Sequence, residues 1–177
     1  SAPPNLKRVM LQEHWSWANQ PSTVYLDASC LLYDFKQECV DTVDYAHKRS
    51  ACGSVTHSGD VLNNDKREGV HTIRVNLDAL PSGVQSLFFT ISAWTGTISS
   101  IFQPHVRFED EASKVELCRY VFEGKEHGAH TCLTMCRLWR ATQSASWQVT
   151  AVGSLGGGRA DQYYAVRQTI HDYLSSL

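Results

Sequence analysis

A chain of 177 residues with a formal net charge of −2, 42% hydrophobic and 19% charged, is long enough for one domain with a buried core and too apolar to stay disordered. Its sixteen Lys and Arg residues are scattered, without the basic stripe or arm that a nucleic-acid binder presents. Its longest apolar runs, such as Leu87–Ile91, fall far short of the roughly 20 residues of a membrane span, so neither nucleic acid nor a membrane is an expected partner.

Segments rich in β-branched and aromatic residues, separated by Gly, Asn, Asp, Pro and Ser clusters, predict strands along the chain. In order they are Lys7–Leu11, Val24–Tyr33, Val40–Ala46, Ser54–His57, Val70–Leu77, Ser86–Trp94, His105–Glu109, Val115–Phe122, His130–Arg140 and Ser146–Gly153. Between the first two, Trp15 and Trp17 fall in a loop over Glu13–Gln20, where packing is the expected role. In the fifth, Ile73, Val75 and Leu77 alternate with Thr72, Arg74 and Asn76; in the last, Trp147, Val149 and Ala151 alternate with Gln148 and Thr150. Such period-two patterns belong to sheets covered on one side. Asp78–Val84 reads as a short turn or helical loop. After Gly156–Gly158 the period changes, and Tyr163, Val166, Ile170, Tyr173 and Leu177 form the stripe of an amphipathic helix. The expectation is an all-β, two-sheet β-sandwich of about ten strands with a short C-terminal amphipathic helix. One domain spans 1–177, with a core over about 7–158 and a helical extension over 159–177. The helix is expected to pack on its own sandwich, with self-association through it as the alternative.

Six cysteines, Cys30, Cys39, Cys52, Cys118, Cys132 and Cys136, raise the question of redox state. The stretch Ser1–Leu6 is polar and Pro-rich, and no Asn-x-Ser/Thr acceptor occurs. Reduced, mostly buried thiols in a cytoplasmic protein are therefore expected. The run His127-Gly-Ala-His130-Thr-Cys132-Leu-Thr-Met-Cys136 carries zinc-ligand residue types. On a strand, however, Cys132 and Cys136 share a face about 13 Å apart, too far for one ion. Gly153-Ser-Leu-Gly-Gly-Gly-Arg159 lacks the Gly-Lys-Ser/Thr ending of a phosphate loop and reads as a flexible exit from the last strand. No nucleophile elbow and no catalytic cysteine signature is present; an enzyme is not expected.

Five motifs in collinear order carry a resemblance. Tyr25-Leu-Asp-Ala-Ser29 precedes the apolar Cys30-Leu-Leu-Tyr-Asp34, and Gly53-Ser-Val-Thr-His-Ser-Gly-Asp60 follows. Then come Ile73-Arg-Val-Asn-Leu-Asp-Ala-Leu-Pro81, the run Val106-Arg-Phe108, Glu116-Leu-Cys-Arg-Tyr120 and Arg137-Leu-Trp-Arg140, and finally Trp147-Gln-Val-Thr-Ala-Val-Gly153. Together, over about Lys7–Gly158, they resemble the TerD family of tellurium-resistance and stress-response proteins. The resemblance implies a β-sandwich whose acidic loops bind Ca²⁺ at one end, no enzymatic activity or organic cofactor, and for some members cyclic-nucleotide binding. Matched to the family pattern, Asp27 and Asp60 keep their carboxylates, and Asp65 and Glu68 remain as oxygen donors in the loop after them. Tyr25, Gly69, Val70, Ser92 and Ala93 stand where the family has acidic or His-Asp residues, and Lys66 and Arg67 add positive charge. Ligand charge tunes Ca²⁺ affinity, so a weak or lost site at Asp27, Asp60, Asp65 and Glu68 is expected. The function implied is a stress-response binding or adaptor domain acting on a protein partner, with a retained calcium site or a small-molecule or cyclic-nucleotide site as alternatives.

Overall fold

The computed structural model describes residues 6–120, 122 and 128–177; among them are eleven strands and one α-helix. In chain order the strands are β1 (Arg8–Ser16), β2 (Leu26–Asp34), β3 (Cys39–Val43), β4 (Val55–His57), β5 (Val61–Asn63), β6 (Glu68–Asn76), β7 (Val84–Ala93), β8 (Phe102–Asp110), β9 (Glu116–Tyr120), β10 (Cys132–Trp139) and β11 (Gln148–Gly156), followed by α1 (Tyr164–Ser175). One antiparallel sheet runs β4-β6-β1-β8-β9, with β5 also paired to β6; the other runs β11-β10-β7-β2-β3. The two-sheet sandwich and its terminal helix are as the sequence implies. The eighth predicted strand ends early, and both Val121 and His127 lie outside the described residues.

The core lies between the sheets and follows the pleat. Val9, Leu11 and Trp15 of β1, Ile73 and Val75 of β6, and Val106 and Phe108 of β8 meet Leu26, Cys30 and Leu32 of β2, Leu87, Phe89 and Ile91 of β7, and Leu133 and Leu138 of β10. Each fully buried aliphatic or Phe side chain contributes roughly 1.5–3 kcal/mol, which fixes the register against a one-residue slip. In β2 and β7 the outward residues are buried too, because α1 covers that sheet. Val166, Ile170 and Leu174 pack on Leu31, Tyr33, Phe88 and Cys132. The middles of these two strands, Cys30–Tyr33 and Leu87–Phe89, therefore read as short unbroken apolar runs, the pattern of a sheet covered on both sides. The helix stripe differs at its end from the expected one: Leu174 is 6% exposed and Leu177, beyond the last helical turn, is 76% exposed. The Gly-rich segment before α1 is a packed junction. Gly156 sits so close to α1 that a Cβ there would lie 2.3 Å from Thr169 Oγ1.

Three further local departures have simple causes. β1 extends to Ser16, so Trp15 belongs to a strand, and both Trp15 and Trp17 are buried. β5 falls in a segment that its turn residues make read as loop; Asn63 Oδ1 accepts the Lys66 N–H at 3.0 Å to close the hairpin. In β10, Thr134 pairs with Thr90 and Cys136 with Phe89, leaving Met135 as the extra residue of a bulge. The bulge changes the parity of the strand: Cys132 joins the outer cluster under α1 and Cys136 the inner core. The two thiols thus do not share a face, and they cannot hold one zinc ion together. Cys30, Cys132 and Cys136 are buried, Cys39 and Cys118 half-buried, and Cys52 exposed. Trp147, just before the edge strand β11, and Val149 within it pack inward as expected, whereas Ala151 is exposed. No helix among the described residues is long and apolar enough to cross a membrane.

Candidate metal centre

The inward face of β1 reads Val9, Leu11, Glu13, Trp15, and that of β6 reads His71, Ile73, Val75. Glu13 and His71 are direct cross-strand partners, and both are fully buried. An ionisable pair at core positions costs desolvation unless each partner is satisfied. Here His71 Nδ1–H donates to Glu13 Oε2 at 3.0 Å and Nε2–H to Asp60 Oδ1 at 2.7 Å. Burial pushes the Glu13 carboxyl up to about 7, against the pull of His71. Burial also disfavours the His71 imidazolium, but the Glu13 and Asp60 carboxylates outweigh it and bring His71 to about 8. The Trp15 ring lies 4.9 Å from the His71 ring and seals it from solvent.

Both sheets meet at the Ala28 backbone. The last β2–β3 pairing toward this end is Cys30 with Val43; beyond it Asp44 turns the chain away, its Oδ1 accepting the Ala46 and His47 N–H groups at 2.9 and 2.7 Å. Side chains of the opposite sheet take up Ala28 instead. Its N–H is directed at His71 Nδ1, 3.3 Å away, and turns to the Glu13 carboxylate beside it when that nitrogen carries a proton. Its carbonyl accepts from His57 Nε2 at 3.1 Å. Because Gly59 N–H donates to His57 Nδ1 at 2.8 Å, the proton of His57 sits on Nε2 and the ring is neutral. Burial, with the neighbouring His71 charge, lowers the His57 pKa to about 4. A histidine whose folded pKa is depressed stabilises the fold above its unfolded pKa of about 6.5 and loses that contribution as pH falls toward the folded value. In the metal-free protein, NMR titration is expected to give His57 a midpoint near 4. A midpoint near 6.5 would show that burial and the His71 charge do not hold it neutral.

Asp27 comes from the opposite sheet and Asp60 from the turn before β5, and both converge on His71. One ligand atom from each of Asp27, Asp60 and His71 lies within 4.8 Å of the others. Asp27 is 3% exposed, and its Oδ2 has no hydrogen-bond partner among the described residues. Burial, opposed by His71 and reinforced by Asp60, Asp44 and Asp161, raises its carboxyl to about 6. Above these groups opens a pocket of about 160 Å³ lined by Tyr25, Asp27, Tyr45, Asp60 and Trp94. Asp44 is already occupied, accepting the Tyr163 hydroxyl at 2.6 Å on its Oδ2.

Of the four acids singled out in the sequence, the structure therefore brings Asp27 and Asp60 together. Asp65 and Glu68 sit on the β5–β6 hairpin and line a different depression with His14 and Lys66. Tyr25 walls the pocket, Ser92 Oγ donates to the Asp27 carbonyl at 3.4 Å, and Ala93 is buried. Gly69 lies beneath the Trp15 ring, where a Cβ would come within 2.2 Å of it. The residues sequence reasoning missed are Glu13, His57 and His71. Their signal is a polar residue at core parity in an alternating strand, masked for Glu13 because β1 reads as ending at Leu11.

Comparison with known proteins follows the same outline. The TerD domain matches residues 1–160. The chain is similar to the tellurium resistance protein TerZ of Serratia marcescens, 34% identical over 138 residues that cover 77% of this chain and 69% of that one. It is also similar to general stress protein 16U of Bacillus subtilis, 28% identical over 137 residues, 73% and 69% of the two chains. Among solved structures, a homologue of the telluride resistance protein TerD from Streptomyces coelicolor superposes with a TM-score of 0.73 at 19% identity, covering 91% of this chain and 96% of that one. At that identity the likeness concerns the fold.

Proposed function

Because the chain belongs to the TerD domain family, we propose that it is a non-catalytic binding domain of a stress response whose acidic end takes one divalent cation weakly, through Asp27 and Asp60. The observation that carries this reading is the buried Asp27 Oδ2, which has no protein partner among the described residues and opens onto the pocket beside Asp60. A buried carboxylate oxygen left unsatisfied costs about 1–3 kcal/mol, and a bound cation offsets that cost. The site falls short of what calcium requires. Ca²⁺ takes six to eight oxygen ligands, whereas the cluster offers two carboxylates and an imidazole. Tyr25, Gly69, Val70, Ser92 and Ala93 supply no further carboxylate. Occupancy at this end would present a changed surface to a protein partner, which is the adaptor role proposed for the domain.

Thermal denaturation of the chelator-stripped protein tests the reading. A panel of divalent cations at millimolar concentration is expected to raise Tm by mass action. Asp27→Asn and Asp60→Asn should abolish the rise. Asp27→Asn, which relieves an unpartnered buried oxygen, should leave the metal-free Tm equal or higher, whereas Asp60→Asn, which weakens a bond to His71, should lower it. If no cation in the panel shifts Tm, the acidic end is an ordinary solvated surface and the proposal fails.

A further inference from the structure

The third donor of the cluster is a nitrogen, and its setting is specific. His71 is oriented from behind by Glu13, fully buried and paired to it across β1 and β6 at 3.0 Å. With Nδ1 engaged there, Nε2 is aimed at Asp60, 2.7 Å away, and toward Asp27 from the other sheet. A carboxylate behind a histidine that leaves the second ring nitrogen free for an ion is the arrangement that fixes tautomer and ring angle in transition-metal sites. Imidazole with carboxylates suits Zn²⁺ and its first-row neighbours, whereas Ca²⁺ is held by oxygen. The Trp15 ring, 4.9 Å from His71, holds the imidazole in place. The pocket bordered by Tyr25, Tyr45 and Trp94 leaves an open side where water can complete a four- or five-coordinate ion.

We infer that the Asp27–Asp60–His71 centre selects a nitrogen-accepting first-row dication such as Zn²⁺ over Ca²⁺. This rests on the reading that the acidic end takes a dication at all. On binding, the metal–nitrogen bond forms at Nε2 as the proton held there is released to solvent. The Nε2–Asp60 hydrogen bond gives way to coordination by both groups.

The test is calorimetric titration of the full chain, stripped of metal, with ZnCl₂ and separately with CaCl₂. Zn²⁺ is expected to bind one per chain at least tenfold more tightly than Ca²⁺. His71→Gln should lose most of the Zn²⁺ affinity and little of the Ca²⁺ affinity, and Asp27→Asn should lose both. Should His71→Gln fail to fold, Co²⁺ loading of the unmodified chain gives a second readout. Visible d–d bands without a thiolate charge-transfer band are expected, since the six cysteines take no part. Ca²⁺ binding as tight as Zn²⁺ overturns the inference and leaves the proposed function standing. Binding of neither overturns both. Zn²⁺ binding that survives Asp27→Asn, or Co²⁺ spectra showing thiolate ligation, places the ion elsewhere and also overturns the inference.

Discussion

Glu13→Ala is expected to lower the unfolding free energy by about 3–5 kcal/mol, the cost of removing one partner from a buried ion pair. His71 is fully buried, and its Nδ1–H would be left facing a cavity. The Ala28 N–H would lose its carboxylate acceptor as well. Because Glu13 lies between two sheets rather than at the surface, water cannot replace either bond without opening the sandwich. Urea titration followed by tryptophan fluorescence would show the midpoint falling with an unchanged slope. Glu13→Gln keeps an amide oxygen for the His71 proton and should lose less. If Glu13→Ala costs under about 1 kcal/mol, His71 is being neutralised or hydrated without penalty, and the account of the pair is wrong.

The second large effect is at Gly69. A Cβ there would lie 2.2 Å from Trp15 Cζ2 and 2.5 Å from two further ring atoms. The ring cannot swing aside: it is 2% exposed, its Nε1–H donates to the Val24 carbonyl at 2.6 Å, and it packs against the His71 ring within the core. Overpacking of this kind costs about 1–3 kcal/mol, and more where neighbours are pinned. For a chain of this size each kcal/mol corresponds to about 2–4 °C in Tm, so Gly69→Ala should melt several degrees lower. Gly69→Asp should do worse, since it adds a charge beneath an indole. The decisive comparison is a double-mutant cycle with Trp15→Ala. In that background Gly69→Ala should cost almost nothing, and a penalty that persists would show that the clash is not with Trp15. The same contact leaves no room for a carboxylate at this position: the tryptophan occupies the space.

These residues also show how far the sequence could be read. Ile73, Val75 and Leu77 declare the β6 core face without ambiguity, and His71 falls on the same parity two residues earlier. It lies inside the strand expected over Val70–Leu77, but a lone polar residue at the strand's start does not declare itself part of a core. Trp15 and Glu13 continue the alternation of Val9 and Leu11, but a polar residue at a core position interrupts the apolar pattern by which a strand is recognised. The fold survives such interruptions because many apolar positions vote together; a site consists of the interruptions themselves. The Met135 bulge carries no local signature, since its residues suit either pairing, and it reverses the faces of Cys132 and Cys136. Asp27 and Asp60 were legible as carboxylates in motifs, whereas their company was set by strand register. That register brings His71 to them and carries Asp65 and Glu68 to another depression.

The contacts around Ala28 form a circuit. From Gly59 N–H the path runs through the His57 ring to the Ala28 carbonyl, then from the Ala28 N–H to Glu13. It continues to His71 and to Asp60, the residue next to where it began. Followed in the direction of donation, the circuit reverses twice. Glu13 only receives, from both neighbours, and His71 only gives, to both. Losing the Nδ1 proton of His71 removes both reversals: the Ala28 N–H then donates to that nitrogen, and each imidazole receives on one side and gives from the other. Proton number therefore sets the direction of the circuit: doubly protonated, His71 breaks it at Glu13, and singly protonated it lets every bond run one way to Asp60, where a cation can take the last proton's part.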